Sequence, residues 1–255
     1  MAEPARAARV RDVGGIETPV WMAGALVMLL AQMIGPSMVS AAAEAGGMPE
    51  GFPRKAAAQA GGYAVAIGIG VALVWLLRVR ATERTGLRVG AGDLPRGALA
   101  LLLVAPFYIL VSSAAAAAEA WVTRGPNDIV KHDTLRELRD RLVVDAAAGD
   151  ERVWAWVMVG AVVIGAPIVE ELLYRLCVQS MFLRLTRGAW QGWAAVLLTS
   201  GVFALMHLAL APPSAVVSLF VLSVGLGIAY ERTGRLGVPV VMHAGFNAVN
   251  VGLSL

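Results

Sequence analysis

Three short segments of the chain carry side chains that could do acid–base chemistry. They are Glu170-Glu171-Leu172-Leu173-Tyr174-Arg175, Phe203-Ala204-Leu205-Met206-His207, and His243-Ala244-Gly245-Phe246-Asn247, with Asn250 one turn beyond. Glu171 and Arg175 are four apart. On a helix they share a face in the favourable Glu-before-Arg order, so Arg175 can neutralise Glu171. Glu170 is turned about 100° away and stays free for another partner. His243 and Asn247 are also four apart and share a face. A carboxylate held beside imidazoles suits proton abstraction from water. A neutral imidazole and an Asn amide can donate to an oxyanion. Together these groups suffice for hydrolysis without a covalent intermediate. Alternatively, Glu170, His207 and His243 could hold a divalent metal such as zinc with an open water position. No H-E-x-x-H segment is present, which excludes a zincin helix.

The surroundings of these residues set their weight. The chain has 255 residues, 58% of them hydrophobic and only 15% charged, with a mean hydropathy of +0.70. A soluble domain is nearer 45–50% apolar and about 25% charged. A water-soluble monomer could not hide so much apolar surface, and disorder is excluded by the same hydrophobicity. The composition predicts an all-α polytopic membrane bundle of about seven spans, near 19–43, 57–77, 97–122, 153–175, 190–211, 214–230 and 236–255. Each is about the 20 residues that a hydrocarbon core of about 30 Å requires. The runs are continuous, without the alternation of a membrane barrel, and lipid favours helices because their backbone bonds close within the segment. Glycine and alanine recur along the spans, where small residues let helices approach closely.

An ionisable group inside a span costs at least about 2.5–3.5 kcal/mol and usually faces a cavity. A single Glu–Arg pair or a lone His in a bundle is commonly only packing. Here such groups crowd three of the last four spans and nearly avoid the first three, which argues for a working site. The chain thus divides into an N-terminal part, 1–152, and a catalytic helical core, 153–255, within one membrane domain. The single cysteine, Cys177, excludes an intrachain disulfide and any multi-cysteine zinc site.

Charge gives orientation. Arg6, Arg9 and Arg11 precede the first span. Arg78, Arg80, Arg84, Arg88 and Arg96 follow the second, Arg184 and Arg187 the fourth, Arg232 and Arg235 the sixth. With alternating spans all of these lie on one side, which predicts a cytoplasmic N-terminus, an outer C-terminus and residence in a bacterial cytoplasmic membrane. Ala41-Ala42-Ala43 resembles a signal cleavage site, but the first apolar run exceeds a normal signal segment and reads as a retained helix. The 123–152 loop mixes both signs of charge. Leu135, Leu138 and Leu142 recur there at helical spacing, which predicts a short amphipathic helix on the surface or over the bundle; His132 reads as solvated. No Lys/Arg-rich tract with interleaved aromatics occurs, so nucleic acid is set aside.

The three segments resemble the motifs of the CPBP family, the CaaX-protease and bacteriocin-processing intramembrane proteases also called Abi proteins. E-E-x-x-x-R matches Glu170, Glu171 and Arg175; F-x-x-x-H matches Phe203 and His207; H-x-x-x-N matches His243 and Asn247. The resemblance covers about 153–250. Phe220, Leu226, Gly227, Tyr230, Thr233, Gly234, Leu236 and Pro239 also stand where the family carries such residues. Tyr174 replaces a commoner Phe, Leu176 stands where Gly often follows the Arg, Ser223 replaces a usual Gly, and Gly237 stands where Trp is frequent. The resemblance implies hydrolysis of a peptide bond within the membrane. It implies that Glu170 with His207 activates water, that His243 and Asn247 stabilise the oxyanion, and that Glu171 and Arg175 support the site. The family is often labelled metalloprotease-like, although a glutamate base needs no metal. The expected partners are a peptide or protein substrate, lipid-modified or membrane-embedded, and the lipid bilayer. Two rival readings are a proton-coupled transporter, since Glu/His chains also relay protons, and a non-catalytic membrane adaptor. No repeat relates the first three spans to the last four, which weighs against the transporter.

Overall fold

The computed structural model describes residues 15–78, 86–123, 137–144 and 149–255. The described chain is an antiparallel bundle of helices, as expected. Five helical stretches are long and apolar enough to cross a membrane: Thr18–Ala45, Phe52–Leu77, Asp93–Thr123, Glu151–Leu185 and Pro213–Thr233. We name the helices α1 (Thr18–Ala45), α2 (Phe52–Arg78), α3 (Asp93–Thr123), α5 (Gln191–Met206), α6 (Pro213–Thr233) and α7 (Gly237–Ser254). Helix α4 is one continuous rod of five segments. Gly149–Gly160, Ala166–Glu171 and Ser180–Leu185 are α-helical, and Ala161–Gly165 and Leu172–Gln179 are wider π-helical turns. The other two expected spans, α5 and α7, are 16 and 18 residues long; α5 is apolar, and α7 carries His243, Asn247 and Asn250.

Two boundaries differ from the expected ones. The fourth span does not stop at Arg175 but runs ten residues further to Leu185. Gln179, Ser180 and Arg184 look like a membrane exit in sequence. In the fold Gln179 and Ser180 are fully buried, and the Gln179 amide donates to the Gly227 carbonyl at 3.2 Å and to Glu231 at 2.9 Å. The fifth span ends at Met206, not 211, because the apolar run past His207 is a turn whose Leu210 and Ala211 N–H groups donate to the His207 carbonyl.

Helix directions follow from paired contacts. Arg175 meets Ser223 and Gln179 meets Gly227, so α4 and α6 run parallel. His243 meets Glu171 and Asn247 meets Val162, so α7 runs antiparallel to α4. The described cations Arg78, Arg88, Arg96, Arg184, Arg187, Arg232 and Arg235 therefore gather at one end of the bundle, and Arg54, Lys55, Arg139, Arg141 and Arg152 at the other. The first group also ties the fold together. Asp93, 1% exposed, accepts from the Gly90 N–H at 2.8 Å and from Arg235, fastening the start of α3 to the α6–α7 turn. A Cβ on Gly237 would sit 2.2 Å from the Asp93 carboxylate, which explains glycine where a tryptophan is frequent.

Of the expected amphipathic helix, residues 137–144 are described and helical, and Leu138 is buried with Phe52, Ala56, Ala155 and Met158. Lys55 pairs with Glu137, and Arg141 lies over the Phe52 ring at 5.4 Å. That stretch caps the bundle rather than lying free. Leu135 and His132 lie outside the described residues, as do Arg6, Arg9, Arg11, Arg80, Arg84, Arg124, Lys131 and Arg136.

Helices α1 and α2 cross at glycine. A Cβ on Gly62 would meet the Pro36 backbone nitrogen at 2.6 Å, and Gly35 faces the Gly62 carbonyl. Neither backbone can yield, so Gly62→Leu must part the helices. We expect a loss of about 1–3 kcal/mol, the usual range for overpacking, read as a lower melting temperature in detergent.

Candidate active site

Helix α4 carries the acidic half of the site. Glu171 and Arg175 are both fully buried, with Arg175 Nε donating to Glu171 Oε2 at 2.9 Å. A buried pair is stable only if its remaining groups are satisfied. Here they are only partly so: Arg175 Nη2 donates to Ser223 Oγ at 2.8 Å and the guanidinium carbon lies 5.8 Å from the centroid of the Phe203 ring, a cation–π distance, while Nη1 is buried without a hydrogen-bond partner among the described residues. Ser223, which departs from the family's glycine, thus supplies an acceptor to the buried cation. The other Glu171 oxygen, Oε1, lies 2.9 Å from His243 Nδ1. A carboxylate only accepts, so Nδ1 carries the proton and Nε2 faces the other way.

That second nitrogen points towards the free carboxylate. His243 Nε2 lies 3.8 Å from Glu170 Oε2, and the Glu170 side chain is 12% exposed while Glu171 is sealed. The wide turns of α4 belong to this arrangement, and such turns recur at functional sites. All eight residues of Leu172–Gln179 are buried, so the second half of the rod is wrapped on every side. In the first wide turn the Val162 carbonyl accepts from Asn247 Nδ2 at 2.9 Å. One of the two Asn247 amide protons is thereby committed to the backbone of α4, a tether that the spacing alone did not reveal.

His207 closes helix α5. Its Nδ1 lies 2.7 Å from the Phe203 carbonyl. A carbonyl also only accepts, so Nδ1 is the protonated nitrogen and Nε2 is left to accept. The Phe203 ring is the shared wall. Its centroid lies 4.6 Å from that of His207, 6.1 Å from that of His243 and 5.0 Å from that of Tyr174. Arg175, His207 and His243 therefore meet around Phe203, Glu171 bonds Arg175 and His243, Glu170 faces His243, and Asn247 is placed by its bond to the Val162 carbonyl.

The depths agree once the longer α4 is taken into account. Glu170 lies fifteen residues before Leu185, about 22 Å along the rod. His207 lies sixteen residues past Gln191, about 24 Å along the neighbouring antiparallel helix. With α4 ending at Arg175 these heights would clash; with its true end at Leu185 they match.

Among the described residues no three His, Cys, Asp or Glu side chains form a group able to hold a metal ion. One nitrogen of each imidazole is already committed, His243 to Glu171 and His207 to a carbonyl. Each imidazole keeps its Nε2 uncommitted, and no step below is drawn through a metal.

Spacing also missed Tyr63. Its ring packs against Gly165 of α4, one turn before Glu170. It lies in an earlier span, far from any motif, so only the fold brings it near. Cys177, by contrast, is fully buried against Gly24 and is sealed from any substrate.

No curated protein and no solved structure is significantly similar to the chain. A family model does match, over 152–249, and that segment holds every motif residue described above. The protein is thus an integral membrane protein whose residues 152–249 are similar to the family described as type II CAAX prenyl endopeptidase Rce1-like.

Proposed function

We propose that the protein is an intramembrane endopeptidase that uses Glu170 as general base on water. The observation that carries this reading is the split fate of two adjacent carboxylates. Glu171 is locked by Arg175 and His243, while Glu170 has no such clamp, is partly exposed, and faces His243 Nε2. Water placed between Glu170 and His207 Nε2 gives up a proton to Glu170, and its oxygen attacks the peptide carbonyl carbon. The carbonyl oxygen then takes the negative charge. In the imidazolium form His243 donates through Nε2 to that oxygen while Nδ1 stays on Glu171. The second Asn247 amide proton is the other donor. The intermediate collapses as the proton held by Glu170 passes to the departing nitrogen. Each group that meets developing charge is fixed beforehand by a partner that does not react, which is how oriented donors favour a transition state.

The test is turnover by purified protein in detergent on a peptide library, with and without a chelator. The reading expects cleavage, and expects cleavage to survive chelation because no step uses a metal. Loss of cleavage with chelator, restored by zinc, would reject the metal-free mechanism. No cleavage of any peptide would reject the hydrolase.

A further inference from the structure

Arg175 and Gln179 lie one turn apart in the wide stretch of α4, and both are fully buried. Helix α6 meets them with Ser223 and Gly227, the partners already described. Helix α5 meets them too. Its Phe203 ring lies 5.8 Å from the Arg175 guanidinium carbon, and its Val196 stands against Gly227 beside Gln179 Oε1. Thr199 and Ser200 fall between those two contacts, each about 4.5 Å along the axis from the nearer one. The spacing of 196, 199, 200 and 203 puts all four on one helix face, and all four are buried. The two hydroxyls are therefore held at a level between Arg175 and Gln179. The residues that α5 and α6 bring there, Thr199, Ser200, Ser223 and Gly227, are all small, which suits a small guest.

Four polar atoms at this junction have no hydrogen-bond partner among the described residues: Arg175 Nη1, Gln179 Oε1, Thr199 Oγ1 and Ser200 Oγ. Each is sealed from solvent, where an unmet donor or acceptor is destabilising. Their chemistry is complementary. The arginine nitrogen only donates, the glutamine oxygen only accepts, and the hydroxyls do both. The guanidinium repels a cation, and the glutamine oxygen repels an anion. A neutral guest that both accepts and donates fits all four. Water has that chemistry and that size, and a buried water makes about 3 hydrogen bonds to groups of this kind.

We propose that α4, α5 and α6 bind internal water at this junction. The water accepts from Arg175 Nη1, donates to Gln179 Oε1, and is anchored by the Thr199 and Ser200 hydroxyls. It completes the shell of the buried guanidinium, whose Nε holds Glu171, and Glu171 holds His243 Nδ1. Thr199 and Ser200 are thereby positioning residues for His243. That last role rests on the hydrolase reading; the water site does not.

The sign of a stability change tests the site without any turnover. Thr199→Val and Ser200→Ala remove the hydroxyls at little cost in shape. Were the hydroxyls merely unmet, removing them would raise the melting temperature in detergent, because a buried orphan is replaced by an apolar group. Where they anchor water on Arg175, removing them strands the cation, and the melting temperature falls. The proposal expects the fall in each variant. It also expects the fall to vanish or reverse in a Glu171→Gln with Arg175→Met background, where no cation needs the water. A rise in the otherwise unaltered protein, or the same fall in both backgrounds, would overturn the proposal. For the positioning role, Thr199→Val with Ser200→Ala should lower kcat about ten-fold or more with KM little changed, since small displacements of a reacting group are costly. Thr199→Ser, which keeps the hydroxyl, should retain turnover. Unchanged kcat in the folded double variant would overturn that role. Failure of the unaltered protein to cut any peptide would reject the hydrolase reading and leave the water site to be decided by the melting temperatures.

Discussion

Glu170→Gln is expected to abolish cleavage while leaving the protein folded. Gln keeps the size of the side chain and one acceptor but cannot take a proton from water. A positioned general base contributes about 10²- to 10⁴-fold, so kcat should fall by that much with KM little changed, the mark of a group that acts on the transition state. His207→Ala should behave alike, since its free Nε2 is the second acceptor near the water. Its removal costs little packing because it terminates α5 beside an exposed turn. Wild-type cleavage in either variant, measured on the same reporter peptide, would reject the assignment.

Arg175→Ala is expected to act first on stability. The guanidinium is fully enclosed and is the partner of a carboxylate that is equally enclosed. Removing it strands Glu171 without a cation, and breaking a buried pair from one side costs about 3–5 kcal/mol. The melting temperature in detergent should fall sharply. Activity should fall with it, because Glu171 also orients His243. The double variant Glu171→Gln with Arg175→Met should recover much of the stability, since no unpaired charge remains, and should recover little turnover. An unchanged melting temperature in Arg175→Ala would show that the pair is not buried as described.

Much of this site was legible in the sequence because the membrane makes polarity expensive. Glu170, Glu171, Arg175, His207, His243 and Asn247 stand out in apolar spans, and their helical spacing already assigns faces. Spacing could not show where a span ends in three dimensions. Gln179 and Ser180 resemble interfacial residues, yet helix α6 packs over them, so α4 extends to Leu185. The wide turns were also hidden, because no residue type signals a π-helical turn; with them went the tether from Asn247 to Val162. Ser223 looked like a departure from a pattern and is instead a partner of the buried arginine. Tyr63 lies about a hundred residues before the motifs, and only tertiary packing brings its helix to the Gly165 turn.

The central claim is that Glu170, His207 and His243, from three separate helices, share one small space. Paired substitutions in a Cys177→Ala background address it directly: Glu170→Cys with His207→Cys, and Glu170→Cys with His243→Cys, each treated with a short thiol-reactive bifunctional reagent spanning about 5–8 Å, the reach of a catalytic pair bridged by one water. The account predicts rapid cross-linking within both pairs, seen as protection from a second thiol label. Contradiction would be single substitutions that each react with the reagent while neither pair cross-links.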